Sequence, residues 1–332
     1  MSFIDIIVGV KNEEKYIKKC ITSLQNQTIT DINILVVDGL SVDKTPYIVR
    51  EISGKDHRVK LLINPQEVIG SARNLGLESS GAEYVAYLDG HCYVDPDWLE
   101  TLYKSFEKYH KQCKLAAVGS TYSSPPDDSF FGKTIALAQQ TIFGGFGTSY
   151  TSSQKVVLVE TVAFALYQRS TLEKENVTYD ESMTQCEDTD FNYQLVKAGY
   201  KLLRHPQALV YQYRRPNSRE FYRQMVNYGE GRAKFARKHP ETLKWYHVIP
   251  LIFIIYPALF LIILLLYLTG YLGINILLLV LIPLLLYVFL DLVYTMMLVV
   301  KLGNWRGIYS LLVFPLEHWG YGLGFLKGLL KR

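Results

Sequence analysis

Tyr84-Val85-Ala86-Tyr87-Leu88-Asp89-Gly90-His91 is an apolar run that ends on a carboxylate, a glycine and an imidazole. Five apolar residues bounded by a turn signal have the length of a strand buried on both faces, as in the sheet of an α/β protein. Ligands of open α/β sheets bind at the carboxyl ends of such strands. Asp89 and His91, two residues apart just beyond the strand, can both reach one divalent cation. Read alone, the tripeptide is more simply a strand-to-turn junction, with Asp89 accepting backbone N–H groups and Gly90 supplying the bend.

The surrounding 120 residues repeat the pattern. Short β-branched runs at 3–10, 32–37, 59–63, 84–88 and 115–118 alternate with helical spacing at 14–27, 44–53, 68–79 and 97–111. Such alternation predicts an α/β domain with a mostly parallel sheet flanked by helices. Polar residues collect where the strands end: Lys11-Asn12-Glu13-Glu14 after the first, Asp38-Gly39-Leu40-Ser41-Val42-Asp43 after the second, and Asp89-Gly90-His91 after the fourth. No Gly-x-Gly-x-x-Gly follows the first strand and no Gly-Lys-Ser/Thr loop occurs, which disfavours a dinucleotide enzyme and a P-loop ATPase.

Composition divides the 332-residue chain sharply. Residues 248–268 carry no charge and 274–300 carry only Asp291, so each can cross a hydrocarbon core of about 30 Å. Both are predicted transmembrane helices. Their prolines, Pro250, Pro257 and Pro283, are tolerated where neighbouring helices satisfy the freed backbone groups. The link 269–273 has no basic residue, whereas Lys234, Arg237, Lys238 and Lys244 flank one end and Lys301 and Arg306 the other. The positive-inside rule therefore places the amino-terminal domain on the cytoplasmic side of a cell membrane. No basic stretch, apolar core and cleavage site open the chain, so no secretory signal is expected.

Residues 307–330 are apolar but broken by Glu317, His318 and five glycines. They are predicted to lie in or re-enter the cytoplasmic leaflet, because a crossing would carry Lys327, Lys331 and Arg332 outside. The expected organisation is a cytoplasmic catalytic domain at 1–215, basic juxtamembrane interfacial helices at 216–246, and a membrane region at 247–332. The formal charge of +4 is modest and concentrated at 201–244, beside the membrane, where basic runs meet anionic head groups. Membrane lipids are thus expected partners and nucleic acid is not. Cys20, Cys92, Cys113 and Cys186 contain no Cys-x-x-Cys pair and read as reduced structural thiols.

In its motifs the chain resembles the inverting glycosyltransferases of family 2, with the fold called GT-A, and their membrane-anchored members of the succinoglycan-synthesis type. Val8-Gly9-Val10-Lys11-Asn12-Glu13 resembles the family's opening strand and Asn-Glu turn, and Val36-Val37-Asp38-Gly39 its nucleotide-binding acid. Asp89-Gly90-His91 stands in the place of the Asp-x-Asp metal motif, with His91 a departure from it, and Cys186-Glu187-Asp188 resembles the motif whose aspartate is the catalytic base. Tyr222 to Ala233, with Lys238-His239-Pro240 following, resembles the subgroup's basic segment before its membrane helices. The resemblance covers essentially the whole chain.

That resemblance implies a nucleotide-sugar donor, UDP-linked as the family's commonest, held by Val10, Asn12, Glu13, Asp38, Arg73 and Asp89. It implies a Mn²⁺ or Mg²⁺ ion, with Asp89 and His91 as ligands, to neutralise the diphosphate leaving group. Asp188 would be the base, with Asp190 as the alternative, and Glu187 a supporting acid. Without the resemblance, Glu187-Asp188-Thr189-Asp190 is a plain acidic helix start before an amphipathic helix at 191–198, Glu13 and Glu14 are first-turn acids, Asp38 is a turn cap and Arg73 an exposed helical arginine.

Arg215, Arg223, Gln224 and Arg232, within an arginine- and tyrosine-rich belt, suit the phosphates of a polyprenyl-linked acceptor, because guanidinium binds phosphate bidentately. The plainer reading is a solvated helix touching lipid head groups. The glycine- and serine-rich stretch 144–153 is expected to be an active-site loop ordered by the donor. Two further readings stand beside a transferase that extends a lipid-linked saccharide for a surface polysaccharide or glycoprotein glycan. One is a polyprenyl-phosphate sugar synthase, the other a non-catalytic membrane scaffold with the same fold.

Overall fold

The computed structural model describes residues 2–145 and 155–331. The chain divides into two compact units, Met1–Pro125 with Ser152–Tyr213, and Pro126–Thr151 with Arg214–Arg332.

The first unit contains β1 (Ile4–Val10), α1 (Ile17–Gln25), β2 (Ile32–Asp38), α2 (Thr45–Ser53), β3 (Val59–Ile63), α3 (Ile69–Glu78), β4 (Tyr84–Asp89), β5 (Cys92–Val94), α4 (Trp98–Tyr109) and β6 (Leu115–Ser123). The chain then enters the second unit as α5 (Phe130–Gln139) and α6 (Ile142–Gly145), and returns to the first as β7 (Val157–Val159), β8 (Leu166–Gln168), α7 (Arg169–Lys174), α8 (Glu187–Lys197) and β9 (Lys201–Gln212).

Among the described residues the sheet order is β3-β2-β1-β4-β8-β6-β9-β5, with β7 beside β9. The segment β3-β2-β1-β4 is parallel, and β8 runs antiparallel between β4 and β6. Strand side chains alternate between two buried faces. Ile6, Val8, Ile34, Val36, Ala86 and Leu88 meet α1 and α4 on one face. Ile7, Leu35, Val37, Val85 and Tyr87 meet α3 and α8 on the other. All seven residues of β1 are buried, which explains a strand that is apolar on both faces except at Asp5 rather than alternating.

Helix α3 lies almost on β1, because a Cβ on Gly76 would overlap the Ile7 side chain. Register sets the strand ends level: Val10 pairs with Asp38, and Gly9 with Asp89. After β1 the chain builds β2 and β3 to one side, then returns to place β4 on the other. The sheet's topological switch point is therefore the crevice between the carboxyl ends of β1 and β4, where such sheets take ligands.

Two local expectations differ from the observed structure. Helix α1 begins at Ile17, so Asn12, Glu13 and Glu14 lie in the turn before it and not in its first turn. Helix α8 begins at Glu187, four residues before the expected start, because Cys186 takes a left-handed turn (φ 61°) that launches the helix there.

The second unit is helical: α9 (Ser218–Lys238), α10 (Trp245–Leu268), α11 (Ile274–Leu302) and α12 (Ser310–Leu330) join α5 and α6. Helices α10 and α11 are long and apolar enough to cross a membrane, with 6% and 11% of their most apolar stretches buried inside the protein. Asn217 caps α9 by accepting a bond from the Glu220 N–H at 3.0 Å. The segment 310–330 forms one continuous helix whose polar interruptions point inward. His318 bonds the Phe143 carbonyl at 2.8 Å and the Tyr287 hydroxyl at 3.1 Å, and Glu317 accepts a bond from Gln139.

The glycines of α12 let it approach α9 at backbone distance: a Cβ on Gly324 would overlap the Val226 carbonyl oxygen. Gly324→Leu is expected to force the two helices apart and destabilise the unit by about 1–3 kcal/mol. Gly273→Ala, which meets nothing within 4 Å, leaves it unchanged. Melting of the detergent-purified variants checks this, and equal melting temperatures would overturn it.

Candidate active site

The turn after β1 and the turn after β2 are stapled together. Asn12, in a left-handed conformation (φ 58°), donates its N–H to the Ser41 hydroxyl and accepts the Val42 N–H on its side-chain oxygen. Asparagine is among the few residues with a side chain that take that conformation readily. The Glu13 N–H donates to Thr45 Oγ1, and Glu14 accepts the Lys44 N–H.

Asp38, 1% exposed, accepts the Ser41 N–H at 3.1 Å through Oδ2, which makes it a turn cap. Its other oxygen, Oδ1, is buried without a partner. A buried acceptor left open costs about 1–3 kcal/mol, so the pocket floor beside Val10 suits a ligand N–H or O–H. Both meanings of Asp38 are thus present in one side chain, one on each oxygen.

On the other side of the crevice, Asp89 ends β4 and His91 follows it. The Nδ1 of His91 lies 3.0 Å from Glu13 Oε1, and its Nε2 lies 3.4 Å from the Gln212 amide nitrogen. These partners favour a proton on Nδ1 and leave Nε2 as the accepting face, the tautomer a metal-binding histidine uses when a carboxylate holds its other nitrogen. Pairing of Cys92 with Gln212 in the β5–β9 ladder sets that contact. Asp89, His91 and Cys92 each bring one potential ligand atom within 4.8 Å of the others. One oxygen, one imidazole nitrogen and a buried sulfur form a donor set that fits a transition-metal ion better than Mg²⁺.

Arg73 on α3 is the centre of the site. Its side chain is 11% exposed, donates to Glu187 at 2.9 Å and to Asp89 at 3.1 Å, and lies 5.3 Å from the Tyr179 ring centre. It is a buried fork and not the exposed helical arginine of the plain sequence reading. Burial alone would lower its pKa, but Tyr179, Glu187, Asp89 and Asp188 hold the charge on it. The next residue, Asn74, clamps the backbone of Tyr179 by accepting its N–H and donating to its carbonyl. Helix α3 thereby fixes the segment that leads into α8.

At the start of α8, burial pushes the Glu187 carboxyl up, Arg73 pulls it down and Asp188 raises it again, for a net rise to about 7. Asp188 is partly exposed and accepts the neighbouring Thr189 N–H at 2.7 Å. Asp190 is fully buried and bonded by Gln194 at 3.2 Å, so it offers no oxygen to a ligand in the crevice. Gln212, Tyr179 and Cys92 were not singled out by sequence. Only Cys92, adjacent to His91, carried a readable signal.

Of the basic belt, Arg215 and Arg223 are exposed, Gln224 donates to the Tyr228 hydroxyl at 3.2 Å, and Arg232 lies over the Phe235 ring. Arg223 and Arg232 are nine residues apart on α9, which turns them to opposite sides of the helix, about 13 Å apart along its axis. They do not converge on one phosphate. In the glycine-rich stretch 144–153, Gly144 and Gly145 end α6, and the remainder lies outside the described residues.

The model of glycosyl transferase family 2 matches residues 5–175, so the chain belongs to that family and is a glycosyltransferase. Over its whole length it is 26% identical to the dolichyl N-acetyl-α-D-glucosaminyl phosphate 3-β-D-2,3-diacetamido-2,3-dideoxy-β-D-glucuronosyltransferase of Methanococcus voltae, covering 98% of that protein. It is 28% identical to the succinoglycan biosynthesis protein ExoA of Rhizobium meliloti over 70% of each chain. The fold is GT-A, and it resembles the mannosyltransferase PcManGT of Pyrobaculum calidifontis (TM-score 0.53, 17% identity, 73% of this chain) and TarS of S. aureus (TM-score 0.50, 19% identity, 68% of this chain). The chain spans just under two thirds of either structure, 65% and 64%.

Lysine cannot bridge two carboxylates as the planar guanidinium does. Arg73→Lys is therefore expected to lower kcat by about a hundredfold through misplacement of α8, with little change in donor KM. Steady-state kinetics separate the two constants, and a rise in KM alone would assign Arg73 to donor binding instead.

Proposed function

We propose that the chain is an inverting, metal-dependent transferase that moves a sugar from a UDP-linked donor to a hydroxyl of a lipid-linked saccharide at the cytoplasmic membrane face. The product would serve a surface polysaccharide or a glycoprotein glycan. The observation that carries this reading is the Asp89–Arg73–Glu187 fork at the switch point of the sheet, which brings the acid at the β4 end and the acids of α8 to one centre. The relatives' printed names support the acceptor class, since the Methanococcus voltae protein is named for a dolichyl phosphate-linked sugar.

In this reading Asp38 Oδ1 accepts an N–H from the base or an O–H from the ribose, and Val10, Asn12 and Glu13 form the adjoining wall. Asp89 and His91 would hold Mn²⁺ or Mg²⁺, which supplies positive charge to the leaving diphosphate. Asp188 takes the proton of the attacking hydroxyl, the new C–O bond forms on the face opposite the diphosphate, and the diphosphate leaves with the electrons of the broken bond. A single displacement inverts the anomeric carbon and needs no covalent enzyme intermediate. Glu187 positions Asp188 through its bond to Arg73. The exposed arginines of α9 and the preceding turn, Arg215 and Arg223, are proposed phosphate contacts for the acceptor, with Gln224 next to Arg223, whereas Arg232, on the opposite side of α9, would meet a separate group. The proposed division is a catalytic domain at 1–215, an interfacial segment at 216–246 and a membrane region at 247–332.

Stabilisation of the detergent-purified chain by UDP-, GDP- and dTDP-sugars, with and without Mn²⁺, tests the donor. One nucleotide class should raise the melting temperature in a metal-dependent way, and Asp89→Ala should abolish the rise. Asp188→Asn should keep donor binding while lowering turnover by about 10²–10⁴-fold. No shift with any nucleotide, and indifference to both substitutions, would favour the scaffold reading. Transfer to bare polyprenyl phosphate would favour the synthase reading.

A further inference from the structure

Three segments of the first unit converge on one imidazole ring. The backbone of His91 is fixed where its carbonyl accepts the Tyr213 N–H at 3.1 Å. The ring is held at both nitrogens, by Glu13 Oε1 at 3.0 Å from Nδ1 and by the Gln212 amide nitrogen at 3.4 Å from Nε2. Glu13 comes from the turn after β1 and Gln212 from the end of β9. The Glu13 side chain can pass so close because residue 90 is a glycine. A Cβ there would lie 3.1 Å from Glu13 Cγ and 2.7 Å from Val10 Cγ1, well inside the separation of about 3.5–4.0 Å at which carbon atoms pack. The backbone of Glu13 is tied down separately, through its N–H bond to Thr45 Oγ1. An acid that the sequence assigns to the nucleotide therefore has its carboxylate engaged, in the fold, with the imidazole across the crevice.

We propose that Glu13 is a positioning residue for the divalent cation, acting through His91, and that Gln212 opposes it on the ring's other nitrogen, so that the pair decides which ion the site takes. The proposal rests on the metal-dependent reading above and names what selects the ion. A carboxylate at Nδ1 keeps the proton there, fixes the ring plane and leaves the Nε2 lone pair for a cation. The Gln212 amide meets that lone pair over a long contact, which an incoming ion must displace. An imidazole nitrogen presented in this way favours Mn²⁺ over Mg²⁺, which prefers oxygen ligands and keeps its waters. Asp89 alone would confer no such preference, because a carboxylate suits both ions. The two contacts on one ring thus act in opposite directions: Glu13 strengthens Mn²⁺ binding and Gln212 weakens it.

The test titrates the full detergent-purified chain with Mn²⁺, reading the free ion by its electron paramagnetic resonance signal, with and without saturating UDP and with Mg²⁺ as competitor. Glu13→Gln should weaken Mn²⁺ binding about 10–100-fold and reduce the preference over Mg²⁺ by the same factor. Glu13→Asp, which keeps the charge but is too short for the contact, should lose as much. Gln212→Ala should tighten Mn²⁺ binding about two- to tenfold. In a His91→Ala background neither Glu13→Gln nor Gln212→Ala should have a further effect, a dependence that a folding defect would not show. Absence of Mn²⁺ binding by the wild type, wild-type affinity in Glu13→Asp, failure of Gln212→Ala to tighten binding, or a Glu13→Gln loss that persists without His91 overturns the proposal. The melting shift induced by UDP-sugars in the same samples reports on the transferase reading separately, so the two can fail independently.

Discussion

A guanidinium sealed from water is tolerable only when its donors are answered, and Arg73 is answered by two acids from distant parts of the chain. Removing an ion from water costs several kcal/mol even after relaxation, and loss of one partner of such a pair costs about 3–5 kcal/mol. The end of β4 and the start of α8 are thereby held to one helix, α3, which Gly76 seats against β1. Asn74 adds a second clamp one residue on, through the Tyr179 backbone. Asp89 and Glu187 need no loop to order them, because the charge balance of a buried arginine has already placed them.

That balance also separates the acids by environment. Asp89 and Glu187 each give an oxygen to Arg73, while Asp188 has no bond to it. Glu187, inside the fold, has its pKa raised chiefly by burial and then by the neighbouring Asp188. Proteins assign different tasks to adjacent carboxylates by giving them different surroundings. Here Glu187 is held as a strut by Arg73, and Asp188 is left partly exposed.

Much of this was legible in the sequence. Alternating β-branched runs and helical spacing fixed the parallel half of the sheet, and the clustering of Asp38 and Asp89 at strand ends located the crevice. The Arg73 fork was not legible, because its partners are 16 and 114 residues away and nothing local distinguishes a buried arginine from an exposed one. The tail resisted for the opposite reason. Glu317 and His318 read as interruptions of an apolar segment, yet in the fold they are its inward-facing contacts, and the glycines that seemed to weaken the helix are what admit α9 to its surface. Hydropathy averages over a helix and loses which face each residue occupies.

The identity of the base turns on the same question of phase. Were α8 to begin at Phe191, its three preceding acids would sit in a loop and any of them could face a substrate. With the start at Glu187, set by the left-handed Cys186, residues 187–192 form one and a half turns, and Asp190, Phe191 and Asn192 all fall on the buried side. Asn192 locks that phase, since its amide donates to the Val162 carbonyl and its oxygen accepts from the buried Tyr167 hydroxyl. Rotation of the helix to expose Asp190 would bury the Asp188 charge and strip Asn192 of its partners. If an acid of α8 serves as the proposed base, the choice of Asp188 over Asp190 is therefore a property of how one asparagine is bonded on the far side of the helix, as much as of the acids themselves.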